Sequence, residues 1–311
     1  YGISSIVGQE MTNPLAYIQT RLGGFNWSDD IIGNAYLEAA ITNDIKFRST
    51  VGGKLSYWGN EGYTPVFYLN ATNQTLNNSY GRGANKGFGW NVENTVTYHK
   101  LFGENNVTVL LGQGSYVENI SNSSYVTIHN LPITSYKDAS FNFDIPTVDR
   151  EVAASDGTQH KITSLFARVN YSYMEKYLFT GIIRQDGSSS FGPDKKYGYF
   201  PSFSLGWNIN KEKFWANNNL VSTLKLRGGY GVVGNDNLAD FRYISTISGG
   251  YNYPVGNTGA VTTGYAQTTL DNPSLHWETT SQMNVGFDAR LLNTLNLTVD
   301  YYIKKTSGRS E

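Results

Sequence analysis

Apolar and polar residues alternate along most of this chain with a period of two. Ile45, Phe47, Val51, Leu55 and Tyr57 share one parity, and Lys46, Arg48, Thr50, Lys54 and Ser56 share the other. The same alternation runs through residues 88–98, 164–173, 202–209 and 295–304. Successive side chains on a strand point to opposite faces, so the pattern predicts strands with one apolar and one polar face. It places ten strands at about 34–42, 45–58, 87–98, 106–117, 161–173, 177–186, 198–209, 223–233, 276–289 and 295–305. Most run ten or more residues, past the five or six or so of an ordinary globular strand. A tilted strand needs about 9–11 residues to cross a bilayer.

The connections alternate in length. Short ones fall at 43–44, 99–105, 174–176, 210–222 and 290–294, and long ones at 59–86, 118–160, 187–197 and 234–275. That order gathers the long loops at one end of an up-and-down meander, as in outer-membrane barrels with short periplasmic turns. Away from the strand ends, where Lys161 and Lys305 stand, the apolar parity carries no Asp, Glu, Lys or Arg. The polar parity carries Glu38, Lys46, Arg48, Lys54, Glu93, Arg168, Arg184, Lys225, Arg227, Glu278, Asp288, Asp300 and Lys304. A lipid-facing charge near mid-bilayer costs about 2–4 kcal/mol, whereas a wet lumen tolerates it. The fold class expected is all-β: an antiparallel up-and-down transmembrane β-barrel, of which this chain supplies about ten strands. A soluble sandwich, whose buried face would also be uncharged, is the alternative.

Composition narrows the chemistry. The 311 residues include 24 Lys plus Arg against 25 Asp plus Glu, which argues against a binder of nucleic-acid phosphates. No cysteine is present, so thiol catalysis and Cys-ligated metals are excluded. No apolar run approaches the roughly 18 residues of a membrane helix, and no signal peptide is visible. Both ends read as cut, so the chain is expected to be a piece of something larger. The 23 Tyr, 15 Phe and 6 Trp are many, and several stand at predicted strand ends, where aromatic girdles meet the membrane interface.

Motifs for bond-making chemistry are weak. Gly229, Gly231 and Gly234 match G-x-G-x-x-G, but Asn235-Asp236-Asn237 follows as a turn rather than a helix N-terminus. His99, His129, His160 and His276 include no pair at metal-ligand spacing and read as solvated or capping residues. Asp186-Gly187-Ser188-Ser189-Ser190 lacks the nucleophile-elbow context and reads first as a turn. Asp144, Asp149, Glu151 and Asp156, and Asn235, Asp236, Asn237 and Asp240, form oxygen-rich loop clusters without EF-hand spacing. No catalytic residue, metal or cofactor is assigned. The loop aromatics suit sugar rings, stacking on C–H surface while nearby Asn, Gln and Asp bond hydroxyls. They also suit packing of the loops against one another.

Other residues carry a resemblance. The run from Tyr177 through Arg184-Gln185-Asp186-Gly187-Ser188-Ser189-Ser190-Phe191-Gly192 resembles the strand-and-loop signature of SusC/RagA-type TonB-dependent transporters. Tyr199-Phe200-Pro201-Ser202-Phe203-Ser204-Leu205-Gly206-Trp207 follows it. Leu224-Lys225-Leu226-Arg227-Gly228-Gly229-Tyr230-Gly231 and Asn272-Pro273-Ser274-Leu275-His276-Trp277-Glu278 match in order, as does Asn13-Pro14-Leu15-Ala16 upstream. The resemblance covers nearly the whole chain and is most specific over 161–305.

It implies a barrel of about 22 strands around a plug, with the plug and closing strands absent from residues 1–311. It further implies the bacterial outer membrane, import driven by the TonB complex, and a SusD-like lipoprotein as lid. Oligosaccharide is the expected substrate, with peptide second. Trp58, Tyr63, Tyr80, Arg184, Asp186, Tyr251 and Tyr253 are the expected substrate contacts. Arg48, Glu93, Arg168, Lys225 and Arg227 are expected to line the lumen, holding the plug or tuning the field in the pore. A glycan-binding β-sandwich adhesin and a β-propeller or β-helix hydrolase remain the competing classes.

Overall fold

The structure is a computed structural model that describes residues 12–215, 220–238, 240–255 and 259–308. It opens with a short helix, α1 (Pro14–Gln19). The Asn13 side chain caps it, accepting from the backbone N–H of Leu15 at 3.0 Å and of Ala16 at 3.4 Å. Pro14 takes the first turn, where its missing N–H costs nothing.

Strands follow in the order β1 (Gly24–Ala40), β2 (Ile45–Thr64), β3 (Phe67–Asn70), β4 (Asn73–Thr75) and β5 (Ser79–Phe102). Next come β6 (Asn105–His129), β7 (Arg150–Asp156), β8 (His160–Tyr173), β9 (Tyr177–Ser188) and β10 (Tyr197–Asn208). The last are β11 (Val221–Asn235), β12 (Thr246–Val255), β13 (Ala260–Thr269), β14 (Glu278–Leu291) and β15 (Leu295–Ser307). One sheet runs β1-β2-β5-β6-β8-β9-β10-β11-β14-β15, with β7 added on β6. These ten path strands are the ten that the alternation predicts, in an antiparallel meander. β3–β4 and β12–β13 form separate hairpins in the long connections.

Three differences from the sequence reading stand out. Most strands extend further toward the long loops; β5 begins at Ser79 and β6 ends at His129. The long loops contain strands of their own. Asp186-Gly187 is not a turn: both residues lie in β9, facing Gly198 and Tyr197 of β10.

The chain makes two compact units. One holds residues up to 33 with 53–90 and 118–159; the other holds 34–52, 91–117 and the chain from 160 onward. Each has its own apolar cluster. In the first, Tyr63, Tyr80, Ile128, Leu131 and Ile145 are buried together. In the second, Phe191, Phe200, Leu275 and Trp277 are buried together. Both clusters belong to the long-loop ends of the strands.

The sheet faces of the second unit carry little buried apolar surface. Ile183, Phe203, Leu205, Leu226, Met283, Val285, Val299 and Ile303 share the apolar parity, and all are exposed. Among the described residues neither a second sheet nor a helix covers that parity, which is where the sandwich alternative fails. No helix among the described residues is long and apolar enough to cross a membrane.

Tight turns close the short-connection end. Met174 and Glu175 have φ of 53° and 52°, and Leu292 and Asn293 have φ of 51° and 56°. Two successive left-handed residues match the right-handed twist of the hairpin strands.

Candidate functional site

The polar face of the strands concentrates charge. Antiparallel partners share a face, so Arg227 on β11, Gly286 on β14 and Asp300 on β15 line up across the sheet. The Arg227 guanidinium donates from Nε to Asp288 Oδ2 at 3.0 Å and from Nη2 to Asp300 Oδ2 at 2.8 Å. Thr298 Oγ1 donates to Asp288 Oδ1 at 3.1 Å. Two carboxylates on one guanidinium make a fixed, oriented charge network. Lys225 stands opposite Asp288 in the register. Arg168 and Glu93 are exposed on the polar parity, and Arg48 lies with its guanidinium carbon 4.0 Å from the Tyr36 ring centroid. A shallow groove of about 260 Å³ on this face is bounded by Thr180, Ser204, Lys225, Arg227 and Asn284.

Arg184 and Asp186 sit two residues apart on this parity, toward the loop end. Arg184 Nε donates to both Asp186 oxygens, at 2.9 and 2.7 Å, and its Nη2 donates to Ser164 Oγ at 2.8 Å. Asp186 is buried, while Arg184 is half exposed. The pair predicted as a ligand contact is therefore preorganised, and Arg184 is the member open to a ligand.

The loop aromatics divide into two groups. Tyr63 is 6% exposed and Tyr80 2% exposed, inside the first cluster. Tyr80 stacks at a tilt on Phe141, with centroids 4.5 Å apart. The expectation that Tyr63 and Tyr80 offer a face to substrate is corrected here: their rings meet protein on both sides, so they pack the loops. Trp58 is partly exposed beside Gly87, whose missing Cβ leaves room for the indole. Tyr251 and Tyr253 are exposed on the β12–β13 hairpin, on the side of the sheet shared with Gly264.

A buried asparagine stitches the first loop cluster. Asn78 Nδ2 donates to the carbonyls of Leu131 and Ile133, both at 2.9 Å, and Oδ1 accepts from Leu131 N–H at 2.7 Å. Above it, Arg82 Nε donates to Glu61 Oε2 at 2.8 Å and Tyr136 Oη donates to Oε1 at 3.1 Å. The Tyr80 hydroxyl, then the Arg82 guanidinium and the Tyr136 hydroxyl, hold the Glu61 carboxyl below the usual carboxylate range.

The second cluster contains a polar knot that sequence reading passed over. His160 opens β8 with Nδ1 3.0 Å from Asp240 Oδ1 and Nε2 3.2 Å from Asp236 Oδ2. The latter contact is electrostatic and off hydrogen-bond line; Asp236 Oδ2 is buried without a hydrogen-bond partner among the described residues. Ser189 Oγ donates to Asp240 Oδ1 at 2.8 Å, and Ser190 Oγ lies 3.5 Å from His160 Nδ1. Serine, histidine and aspartate stand together, yet Ser190 is fully buried and shares one ring nitrogen with Asp240. A nucleophile needs its base free for it and an approach for substrate, so this arrangement fastens a loop and catalyses nothing. His160 is correspondingly held between two carboxylates, with its side chain 12% exposed, rather than solvated. The Asp236 and Asp240 loop is held by that histidine, and among the described residues no group of acidic or His side chains is arranged to hold a metal ion.

Over residues 12–310 the sequence matches the family described as TonB dependent receptor-like, beta-barrel. It is 31% identical to TonB-dependent receptor P39 of Formosa agariphila, over 94% of this chain and 27% of that protein. It is 30% identical to TonB-dependent receptor SusC of Bacteroides thetaiotaomicron, over 94% of this chain and 28% of that protein. The chain thus spans under a third of the length of the curated relatives it matches. Those relatives are receptors, not enzymes. Among solved structures, the RagAB peptide importer in its open-open state superposes with a TM-score of 0.77 at 20% identity, over 93% of this chain and 31% of that one. That likeness is one of fold.

Proposed function

Because the chain belongs to the TonB-dependent receptor-like β-barrel family, whose barrels lie in the bacterial outer membrane, we propose that it forms part of the wall of a SusC/RagA-type importer. The observation that carries this reading is the division of the second unit's strands into an uncovered apolar face and a polar face, the latter carrying the Arg227, Asp288 and Asp300 network. Lipid takes the first and a water-filled lumen the second. The TonB complex would drive uptake through a plug held against this wall, and a SusD-like lipoprotein is the partner that would close over the loops. Arg48, Glu93, Arg168, Lys225 and Arg227 would hold that plug or shape the field around it.

Oligosaccharide is the favoured cargo. Exposed Trp58, Tyr251 and Tyr253 offer flat rings for sugar C–H faces, and half-exposed Arg184 offers donors for hydroxyls or carboxylates. The RagAB peptide importer shares the fold, which makes peptide the competing cargo. The test is growth of a strain lacking the full-length protein on defined oligosaccharides and on peptides, with and without a functional TonB complex. Loss of growth on one oligosaccharide class, reproduced by TonB inactivation, is expected. Loss on peptides alone overturns the cargo. Undiminished uptake in both strains, or recovery of the protein in a water-soluble active form, overturns the importer.

A further inference from the structure

One row of the lipid-facing belt of the second unit has a gap. Tyr171, Phe179, Leu205, Gly228, Val285 and Tyr301 follow one another across β8, β9, β10, β11, β14 and β15 as cross-strand partners. Gly228 is the one member without a side chain. Around it lies an open, almost wholly apolar groove of about 600 Å³, walled by Phe179, Leu205, Trp207, Leu226 and Val285.

Nothing local demands a glycine there. A Cβ added to Gly228 would stand 3.6 Å from the Asn284 carbonyl oxygen and 3.9 Å from Val285 Cγ2, both ordinary contacts. Its φ is not among the positive ones. What the absent side chain provides is the groove.

One end of the groove reaches the girdle at the short-turn end. Tyr177 and Trp207 are cross-strand partners one row nearer the 174–176 turn. Their polar atoms donate to Glu212 in the next connection, at 2.7 and 3.2 Å. Aromatic anchors of this kind stand at headgroup level, and short turns mark the periplasmic side.

We propose that the groove seats one acyl chain of a glycerophospholipid from the periplasmic leaflet, its headgroup level with Tyr177 and Trp207. Bulk hydrocarbon is as apolar as the groove, so no hydrophobic gain favours the seat over the bilayer. The chain is held by close contact along its length, many weak dispersion contacts that a flat belt would not offer. The inference rests on the barrel reading and not on the choice of cargo.

The test uses the full-length protein, delipidated in mild detergent and titrated with 1-palmitoyl-2-oleoyl-phosphatidylethanolamine under native mass spectrometry. Saturable retention of one lipid per barrel is expected. Gly228→Leu and Gly228→Phe should each lower that retention at least tenfold, while Ile303→Phe, on the same face outside the groove, should not. Heat-modifiable migration on gels confirms that each variant is folded, and Gly228→Leu, whose Cβ makes only ordinary contacts, guards against loss of the bulkier one. Equal retention by wild type and Gly228→Leu overturns the proposal. So does co-purification of lipid A in place of glycerophospholipid. A Gly228→Leu variant that changes only the oligomeric state would assign the groove to a second copy instead. Uptake that survives lost lipid retention, or the reverse, separates this inference from the importer reading.

Discussion

The two loop clusters solve one problem with different physics. In the first, buried rings surround an uncharged stitch, in which Asn78 satisfies backbone groups at Leu131 and Ile133. In the second, Trp277 fills a cradle made by glycines, and charged groups tie the loop beside it. A Cβ at Gly234 would collide with the Phe200 ring and approach Trp277, and one at Gly198 would meet the same two rings. His160 then fixes Asp236 and Asp240 to the start of β8. The first cluster is therefore sensitive to geometry, because an unmet buried backbone group costs its full desolvation. The second is sensitive to volume and to charge.

The largest test of that contrast is Trp277→Ala. It should cost the second cluster about 3–5 kcal/mol, the range for truncating a buried Trp. Hydrogen exchange of the detergent-solubilised protein should show residues 234–275 opening while 130–149 stay protected. Opening of both would mean that the clusters are not independent. The reverse experiment is Asn78→Ala, which strips the Leu131 N–H and carbonyl of their partner while the Ile133 carbonyl keeps the Tyr63 hydroxyl at 3.1 Å. It should cost about 2–3 kcal/mol and expose 130–149 to protease first.

His160→Ala is expected to be milder, about 2 kcal/mol, because Asp240 keeps the Ser189 hydroxyl and the space left by the imidazole admits water to both carboxylates. It should loosen 234–245 and leave the first cluster unmoved; unchanged exchange there would reduce the knot to decoration. The smallest effect is an acid one on the first cluster. Glu61 binds a proton less readily when the cluster is closed than when it is open, since Tyr80, Arg82 and Tyr136 favour its charged form. Its contribution is therefore complete above the ordinary value of 4.5 and fades as pH falls below it toward the depressed one. Protease sensitivity of 130–149 should rise over that window and flatten in Glu61→Gln. A rise beginning near neutrality would point to another group.

The strand meander was legible because lipid and water impose opposite demands on alternate residues, and that demand writes a period of two. The same cause explains where legibility stops. Beyond the membrane no medium distinguishes the faces, so the outer stretches of β2 and β5, such as Gly59-Asn60-Glu61-Gly62 and Gly81-Arg82-Gly83, carry no alternation although they are strand. Hairpin β12–β13 is exposed on most described positions and leaves no mark for the same reason, while the strands of β3–β4 are too short to display a period. Asp186-Gly187 reads as a turn by local propensity, and its ladder partners on β10 override that. His160 looked isolated because its partners lie 76 and 80 positions later, a distance at which spacing carries no signal. The division of the aromatics was hidden too. Tyr63 and Tyr251 are the same residue type in similar company, and only the fold buries one and leaves the other in solvent.

At the opposite end of the strands, Glu212 gathers three donors: the Tyr177 hydroxyl at 2.7 Å, the Trp207 ring N–H at 3.2 Å and the Lys176 ammonium at 3.2 Å. Together they hold its carboxyl below the usual range, with Tyr177 the largest influence. One carboxylate thereby bolts the β9–β10 hairpin to the connection that leads into β11. Because that carboxylate gives up its charge less readily than a free one, mild acidity leaves the tie closed.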